Sequence, residues 1–207
     1  MRFETEIKSH ISILTSQIYI IMKQVEDSEI LALFAVERTR NEAFNLLLKK
    51  YQQKIYWHIR RLVLNHDDCD DLLQEVFVKV WKNLDKFRSD SQLYTWIYRI
   101  ATNESITFLN KQKQRNNTPL DEVSSELADN LVASSYFNGD KLELKLQKAI
   151  LTLPEKQRII FNMKYFDDMK YEEISEVLGT SVGALKASFH IAAKKIEAFI
   201  TNDEIDY

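Results

Sequence analysis

Apolar residues recur along most of the chain at steps of three and four, the spacing that places them on one face of an α-helix. Positions 41–64 show this most clearly, through Leu47, Tyr51, Ile55 and Ile59. Strict alternation of apolar and polar residues, the mark of a half-buried strand, is rare. We therefore predict helices at 25–36, 41–64, 71–84, 94–115, 141–153 and 156–165, and two more between 171 and 199.

The helical patterns form two groups separated by a stretch of different composition. Positions 116–140 contain no Lys or Arg, but carry five acidic residues together with Pro119 and Gly139. Such a stretch is typical of a linker. With only three Gly and two Pro in the chain, we predict an all-α protein. Two small helical domains, 25–115 and 141–200, are joined by a flexible acidic linker at 116–140.

The first 24 residues stand apart from this plan. Positions 11–22 are apolar and follow a start of mixed charge that includes Glu4 and Glu6. Those acids and the lack of a small-residue cleavage site disfavour a secretory signal. The segment is either a helix packed on the body or an extension upstream of a true start at Met22. We prefer the extension, because the sequence from Met22 already reads as a complete protein.

The helix predicted at 94–115 has two distinct sides. Ile97, Ile100 and Ala101 fall on a side expected to face a core. The other side carries an aromatic ring, a cation and amides, and a basic run follows: Trp96, Arg99, Asn103, Thr107 and Asn110, then Lys111, Lys113 and Arg115. An aromatic ring stacks on bases, an amide reads base edges and cations hold phosphates. Alternatively, the aromatic belongs to the core and the basic run complements the helix dipole.

The helix predicted at 71–84 has a wide apolar face and a polar side. The polar side consists of Asp71, Gln74, Glu75 and, further round, Lys79. Acidic residues near a helix start are favoured by the dipole, with Asp70 as the predicted N-cap. The polar side is either a solvated surface or a docking surface for a basic partner.

Positions 171–199 predict two short helices joined by a turn. Gly179 ends the first helix and Ser181 caps the second. This arrangement is typical of a helix-turn-helix, although helical hairpins without a DNA role share it. The outer face of the second helix carries small, basic and apolar residues: Gly183, Lys186, Ala187, His190, Ile191 and Lys194.

The net charge, the single cysteine and the scattered histidines argue against several classes of function for this sequence. A net charge of −3 gives no general attraction to nucleic acid, so any such binding depends on local basic patches. The single cysteine, Cys69, precludes an internal disulfide and suits a reducing cytoplasm. No apolar run is long enough to insert into a membrane. The four histidines are scattered, the aspartates at 67–71 fit a helix start better than a cation site, and no Gly-rich phosphate loop occurs. We expect no enzyme activity, cofactor or metal.

Two stretches carry a resemblance to a known family. DDLLQEVFVKVWKNLDKFRSDSQLYTWIYRIATN resembles region 2 of bacterial sigma factors, and LTLPEKQRIIFNMKYFDDMKYEEISEVLGTSVGALKASFHIAAKKI resembles their region 4. Their order, with a short linker and no region 3, is the layout of the extracytoplasmic-function (ECF) group of the sigma-70 family. The resemblance covers nearly the whole chain from Asp27 to Phe199.

The resemblance implies a factor that binds core RNA polymerase, recognises −35 and −10 promoter elements and promotes DNA melting. Asp71, Gln74, Glu75 and Lys79 would dock on the clamp helices of the largest polymerase subunit, and region 4 on the flap of the second-largest. The −10 contacts would come from Arg88, Ser89, Trp96, Arg99, Asn103, Lys111, Lys113 and Arg115. The −35 contacts would come from Ser181, Gly183, Lys186, Ala187, His190, Ile191 and Lys194. An anti-sigma partner, often at the membrane, commonly holds members of this family inactive.

This sequence departs from the family pattern at several positions. Many members have Arg at the positions of Ser188 and Ile191, and Ser at that of Ala187; an acid is often found at that of Thr107. With fewer cations, the −35 contacts would depend more on Lys186, His190 and groove shape. One alternative function is a stand-alone helix-turn-helix regulator, which binds its operator without polymerase. Another is an adaptor with no sequence-selective DNA contact.

Overall fold

The computed structural model describes residues 25–116 and 141–202, without the side chains at 113, 115, 116, 141 and 202. These described parts contain eight α-helices and no strand, so the all-α prediction is confirmed. The expectations for residues 1–24 and for the acidic stretch from 117 to 140 lie outside the described residues. The helices form an N-terminal module before that stretch and a C-terminal module after it.

The N-terminal module consists of four helices and two short 3₁₀ turns. The helices are α1 (Asp27–Phe34), α2 (Arg40–Val63), α3 (His66–Asn83) and α4 (Leu93–Asn116). The 3₁₀ turns, Glu37–Thr39 and Leu84–Lys86, follow α1 and α3. Helix α2 packs against the other three, so its apolar stripe forms the centre of the module.

The core of this module follows the predicted apolar stripe. Leu47, Ile55 and Ile59 of α2 are completely buried, and burying a side chain of this size contributes about 1.5–3 kcal/mol. At one end of the core the Trp81 ring meets the Phe34 ring edge-on at 5.2 Å, and the Phe44 ring at 4.9 Å. Edge-to-face contacts of this kind favour one packing geometry over others.

The start of α3 differs from the prediction. We expected Asp70 as the N-cap, but α3 begins at His66 and its N-cap is Asn65. The Asn65 side-chain oxygen accepts a hydrogen bond from the backbone N–H of Asp68 at 3.1 Å, which satisfies one of the free donors at the helix start. Leu64 adopts a left-handed conformation (φ 66°) that ends α2, so the break between the helices is only two residues long.

The C-terminal module also contains four helices. They are α5 (Lys141–Leu151), α6 (Glu155–Tyr165), α7 (Tyr171–Leu178) and α8 (Val182–Asn202). Its own core is a cluster of Ala149, Ile150, Leu153, Phe161, Ala192 and Ile196. The Phe161 and Phe189 rings stack across it at 5.5 Å. Pro154 is the N-cap of α6.

The turn between α7 and α8 has the predicted form. Gly179 follows α7 with φ 63°, a left-handed conformation that costs glycine little. Ser181 then precedes α8, and its hydroxyl oxygen accepts a hydrogen bond from the backbone N–H of Ala184 at 3.4 Å. The helix-turn-helix geometry therefore follows from two local signals in the sequence.

The two modules contact each other directly. Helix α7 packs on α4, and α6 approaches α2. One continuous cluster of buried apolar residues contains Ile59 and Tyr98 of the first module and Met163 and Ile174 of the second. The sequence patterns indicated two modules, but they did not indicate this packing.

Candidate nucleic-acid and polymerase interface

The side of α4 that carries Trp96, Arg99 and Asn103 lies on the surface of the module, as contact with nucleic acid requires. Arg99, Asn103, Thr107 and Asn110 are exposed, and Trp96 is half-buried. The Thr107 hydroxyl donates a hydrogen bond to the backbone carbonyl of Asn103 at 2.8 Å. Thr107 is thus engaged with its own helix, and the Asn103 amide remains on the surface of the module.

A pocket opens beside this row of side chains, where α4 meets α3. It has a volume of about 330 Å³. The lining combines an aromatic ring, amides and charged groups: Lys79, Asn83, Lys86, Trp96, Ile100, Asn103 and Glu104. The Trp96 ring packs against the Phe87 ring, and the two ring centroids are 5.4 Å apart. A fixed aromatic wall with an amide beside it is suited to stacking and reading a single base.

An ion pair crosses the pocket wall between the two helices. The Lys79 amine lies 2.5 Å from a carboxylate oxygen of Glu104, whose side chain is only 19% exposed. Lys79 therefore lies at the border between the predicted docking face and the pocket. Sequence reasoning missed Glu104 and Asn83 as pocket residues, because only the crossing of α3 and α4 brings them beside Asn103.

The remaining −10 candidates lie on both sides of this pocket along the chain. Arg88 and Ser89 are exposed in the loop before α4, and Ser89 has a left-handed backbone with φ 58°. Lys111 is exposed near the end of α4. Lys113 and Arg115 belong to the same helix, but their side chains are outside the described residues.

The predicted polymerase-docking face on α3 borders an apolar groove. Asp71, Gln74 and Glu75 are exposed. The groove, of about 410 Å³, lies between α2 and α3 and includes Gln74 in a mostly apolar lining: Phe44, Leu48, Gln52, Leu73, Gln74, Phe77, Val78 and Trp81. Val78 is 50% exposed. An apolar groove beside acidic side chains is suited to a partner helix with apolar and basic groups.

Helix α8 has the two faces that its sequence predicts. Leu185, Ala192 and Ile196 are buried. The predicted reading residues Ser181, Gly183, Lys186, Ala187, His190, Ile191 and Lys194 are all exposed. The Lys186 amine lies over the Tyr171 ring of α7, 5.7 Å from its centroid. This cation–π contact holds one cation on the outer surface of the helix-turn-helix.

The aspartates at the start of α3 and the nearby cysteine have structural explanations. Within residues 25–116 and 141–202 no group of three or more His, Cys, Asp or Glu side chains is placed to hold a metal ion. Partial burial, followed by the charges of Asp71 and Asp67, raises the pKa of the Asp68 carboxyl. Burial raises the pKa of the Cys69 thiol to about 12.

No helix in the described part of the chain is long and apolar enough to span a bilayer.

The two modules correspond to two recognised sequence families. Residues 47–115 match the family described as Sigma-70 region 2, and residues 143–196 match Sigma-70, region 4. Each match falls inside one of the modules defined by the helices.

Full-length relatives extend this likeness across the chain. The ECF RNA polymerase sigma-E factor of Escherichia coli K12 is 32% identical over 172 residues, covering 78% of this chain and 88% of the relative. The sigma-E factor of Haemophilus influenzae is 28% identical over 172 residues, covering 78% and 89%. The RNA polymerase sigma-H factor of Pseudomonas aeruginosa is 30% identical over 193 residues, covering 86% and 95%.

Solved structures share the fold. The sigma factor RpoE, in complex with the anti-sigma factor NepR from Bartonella quintana, has a TM-score of 0.60 at 19% identity, covering 79% of this chain and 98% of that one. CnrH, in complex with the cytosolic domain of CnrY, has a TM-score of 0.61 at 21% identity, covering 84% and 97%.

The fold and the two matched regions define a sigma-70-type transcription initiation factor. The chain belongs to the ECF group of RNA polymerase sigma factors. Its function is promoter-specific initiation with RNA polymerase, and it is not itself an enzyme.

Proposed function

We propose that the N-terminal module holds the melted −10 element, with one extruded base in the pocket beside Asn103. The observation that carries this proposal is that Trp96, Asn103 and two lysines line one open pocket on the module that matches region 2. The Trp96 ring offers a stacking surface, and Lys86 and Arg99 offer cations for the backbone. Extruding a base costs a few kcal/mol of stacking and pairing, so the pocket must return a similar amount.

We further propose that Glu104 selects among bases in this pocket. A carboxylate on a DNA-facing wall repels phosphate, but it accepts hydrogen bonds from an exocyclic amine on cytosine or adenine. Its ion pair with Lys79 holds it against the wall. Replacing each −10 base in turn should show a preference for one amine-bearing base, and Glu104→Gln should weaken that preference. An unchanged base preference in Glu104→Gln would remove this role.

The polymerase-docking surface combines the exposed acids of α3 with the groove beside them. We propose that the clamp helices of the largest polymerase subunit occupy the groove, with their basic side chains against Asp71 and Glu75. Gln74 supports this arrangement because it belongs to both the polar face and the groove lining. Apolar burial would supply most of the affinity, and the charges would set orientation and association rate.

The C-terminal module is proposed to read the −35 element through the exposed face of α8, while the module docks on the flap of the second-largest subunit. Lys186, His190 and Lys194 offer polar or charged contacts, and Ile191, 46% exposed, offers apolar contact to a thymine methyl. With few cations on this face, DNA shape would contribute to selectivity.

We infer that an anti-sigma protein controls this factor. Among the solved structures of similar fold, the sigma factor RpoE is bound to the anti-sigma factor NepR, and CnrH is bound to the cytosolic domain of CnrY. A membrane protein as the anti-sigma partner would hold an otherwise cytoplasmic factor at the membrane. Recovery of the factor with membranes, and its release when the partner gene is deleted, would support this arrangement.

Run-off transcription with purified core polymerase on genomic fragments tests the main proposal. Addition of the factor should produce discrete transcripts, and their start sites should align to two shared elements about 25 base pairs apart (about 85 Å of duplex). A stand-alone regulator would instead bind DNA without polymerase, as a dimer on half-sites about one helical turn apart. Failure to co-migrate with core polymerase would exclude the proposed role.

A further inference from the structure

One aspartate of the C-terminal module is buried between a histidine and an arginine of the N-terminal module. Asp167 follows α6, and its side chain is only 3% exposed. One carboxylate oxygen lies 2.9 Å from Nδ1 of His58, whose side chain is completely buried in α2. The other oxygen accepts a hydrogen bond from the Arg61 guanidinium, one turn further along α2. A buried carboxylate held in this way places the two modules in a defined register.

His58 connects the Asp167 carboxylate to the core of the N-terminal module. Its Nδ1 pairs with the carboxylate, and its Nε2 lies 2.9 Å from the Thr102 hydroxyl oxygen. That hydroxyl oxygen lies 2.7 Å from the Tyr98 carbonyl oxygen, and the Tyr98 ring packs against the His58 ring with centroids 4.8 Å apart. His58 and Arg61 thus both bind the one buried carboxylate.

Apolar packing surrounds these charges on both sides of the contact. The Arg61 guanidinium lies over the Phe166 ring, 4.9 Å from its centroid. Residues of the C-terminal module complete the hydrophobic cluster of the N-terminal one: Ile159, Ile160, Met163, Met169, Ile174 and Val177. The contact between the modules is therefore both apolar and charged.

The contact holds the two DNA-reading helices in one compact body. Helix α7, which leads into the reading helix α8, lies against α4, which carries Trp96 and Asn103. A compact body of about 150 residues is only about 40 Å across. The −10 and −35 elements are about 85 Å apart along the duplex, at 3.4 Å for each base pair. The closed chain is therefore too small to hold both elements.

We propose that the surface centred on Asp167 is an internal docking site, occupied in the free factor by its own C-terminal module. This site must be vacated before both promoter elements are bound. The inference rests on the proposed two-element recognition. The chain from 117 to 140 permits the change, because a fully extended segment of this length reaches about 80 Å. The apparent affinity for the promoter is then the affinity of the open form multiplied by the fraction of molecules that are open.

X-ray scattering from the full-length protein tests the docking site. Asp167→Arg should raise the radius of gyration from the compact value, about 15 Å for the described modules, to more than about 20 Å. Asp167→Asn should give a smaller rise. Asp168→Asn is the matched control, because Asp168 is the exposed neighbour, and it should scatter like the unaltered protein. Far-UV circular dichroism should show the same helix content in every variant. If Asp167→Arg stays as compact as the unaltered protein, the docking site is refuted.

A second measurement connects opening to function. With purified core polymerase, Asp167→Asn should increase promoter occupancy at limiting factor, by a ratio equal to the increase in the open fraction. Opening without any gain in occupancy would refute the inhibitory role. If no protein, including the unaltered one, initiates at any promoter, the proposed function fails. Scattering would in that case still decide whether the modules dock.

Discussion

Replacing Asn103 by alanine should impair promoter opening while leaving the fold and polymerase binding intact. Asn103 is exposed, and its amide borders the pocket that Trp96 lines. Its backbone carbonyl, which accepts the Thr107 hydrogen bond, is retained in the variant. Alanine is a better helix former than asparagine by several tenths of a kcal/mol. The variant should therefore be slightly more stable than the unaltered protein, and a loss of activity is not attributable to unfolding.

The size of the effect follows from the contact that is lost. An amide that pairs with a base edge contributes about 1–3 kcal/mol of discrimination. Since 1.4 kcal/mol is a factor of ten, open-complex formation should fall about 5- to 150-fold. Asn110→Ala is the matched control. Asn110 is exposed on the same side of α4, two turns further on, but does not line the pocket. Its replacement should change opening less than about twofold, as expected of a surface substitution with no specific contact.

The assay measures two quantities on the same proteins. Strand opening is followed by the fluorescence of a base analogue placed in the −10 element, and core-polymerase affinity by fluorescence anisotropy of labelled factor. We expect Asn103→Ala to lower the first and leave the second unchanged. Equal losses in both assays would show that Asn103 acts through polymerase docking. Equal effects of Asn103→Ala and Asn110→Ala would show that the pocket has no special role.

Three further predictions concern other parts of the protein. Glu75→Lys should weaken core-polymerase binding about tenfold, within the range for an interfacial charge. Glu172→Lys on α7 is the control and should leave binding unchanged. If both variants bind core polymerase equally well in anisotropy titrations, the α3 face is only a solvated surface. Lys186→Ala should reduce initiation most at promoters that depend on the −35 element, and a loss of equal size across sequences would assign Lys186 to phosphate contact. Cys69, with its thiol pKa raised by burial to about 12, stays protonated at pH 8. It should therefore resist a thiol reagent until the protein is denatured; rapid labelling of folded protein would contradict the buried assignment.

The candidate site was only partly predictable from the sequence. The row from Trp96 to Asn110 lies on one helix, so the 3.6-residue period was sufficient to place it on one surface. The pocket depends on Lys79 and Glu104 meeting across two helices, and no local pattern specifies that crossing. His58 did carry a signal, as a polar residue within the apolar stripe of α2. Asp167, its partner, lies more than a hundred positions away with no feature to mark it.

The sequence by itself determined the eight helices of the described residues, the turn at Gly179 and the outward faces of α4 and α8. These properties depend on interactions between residues a few positions apart, which spacing and local backbone preference reveal. Only the tertiary structure decided that α7 rests on α4 and that Asp167 is buried between His58 and Arg61. Such contacts join surfaces that are distant in the chain, and their free energy comes from the burial of apolar and charged groups that become neighbours only when the modules pack.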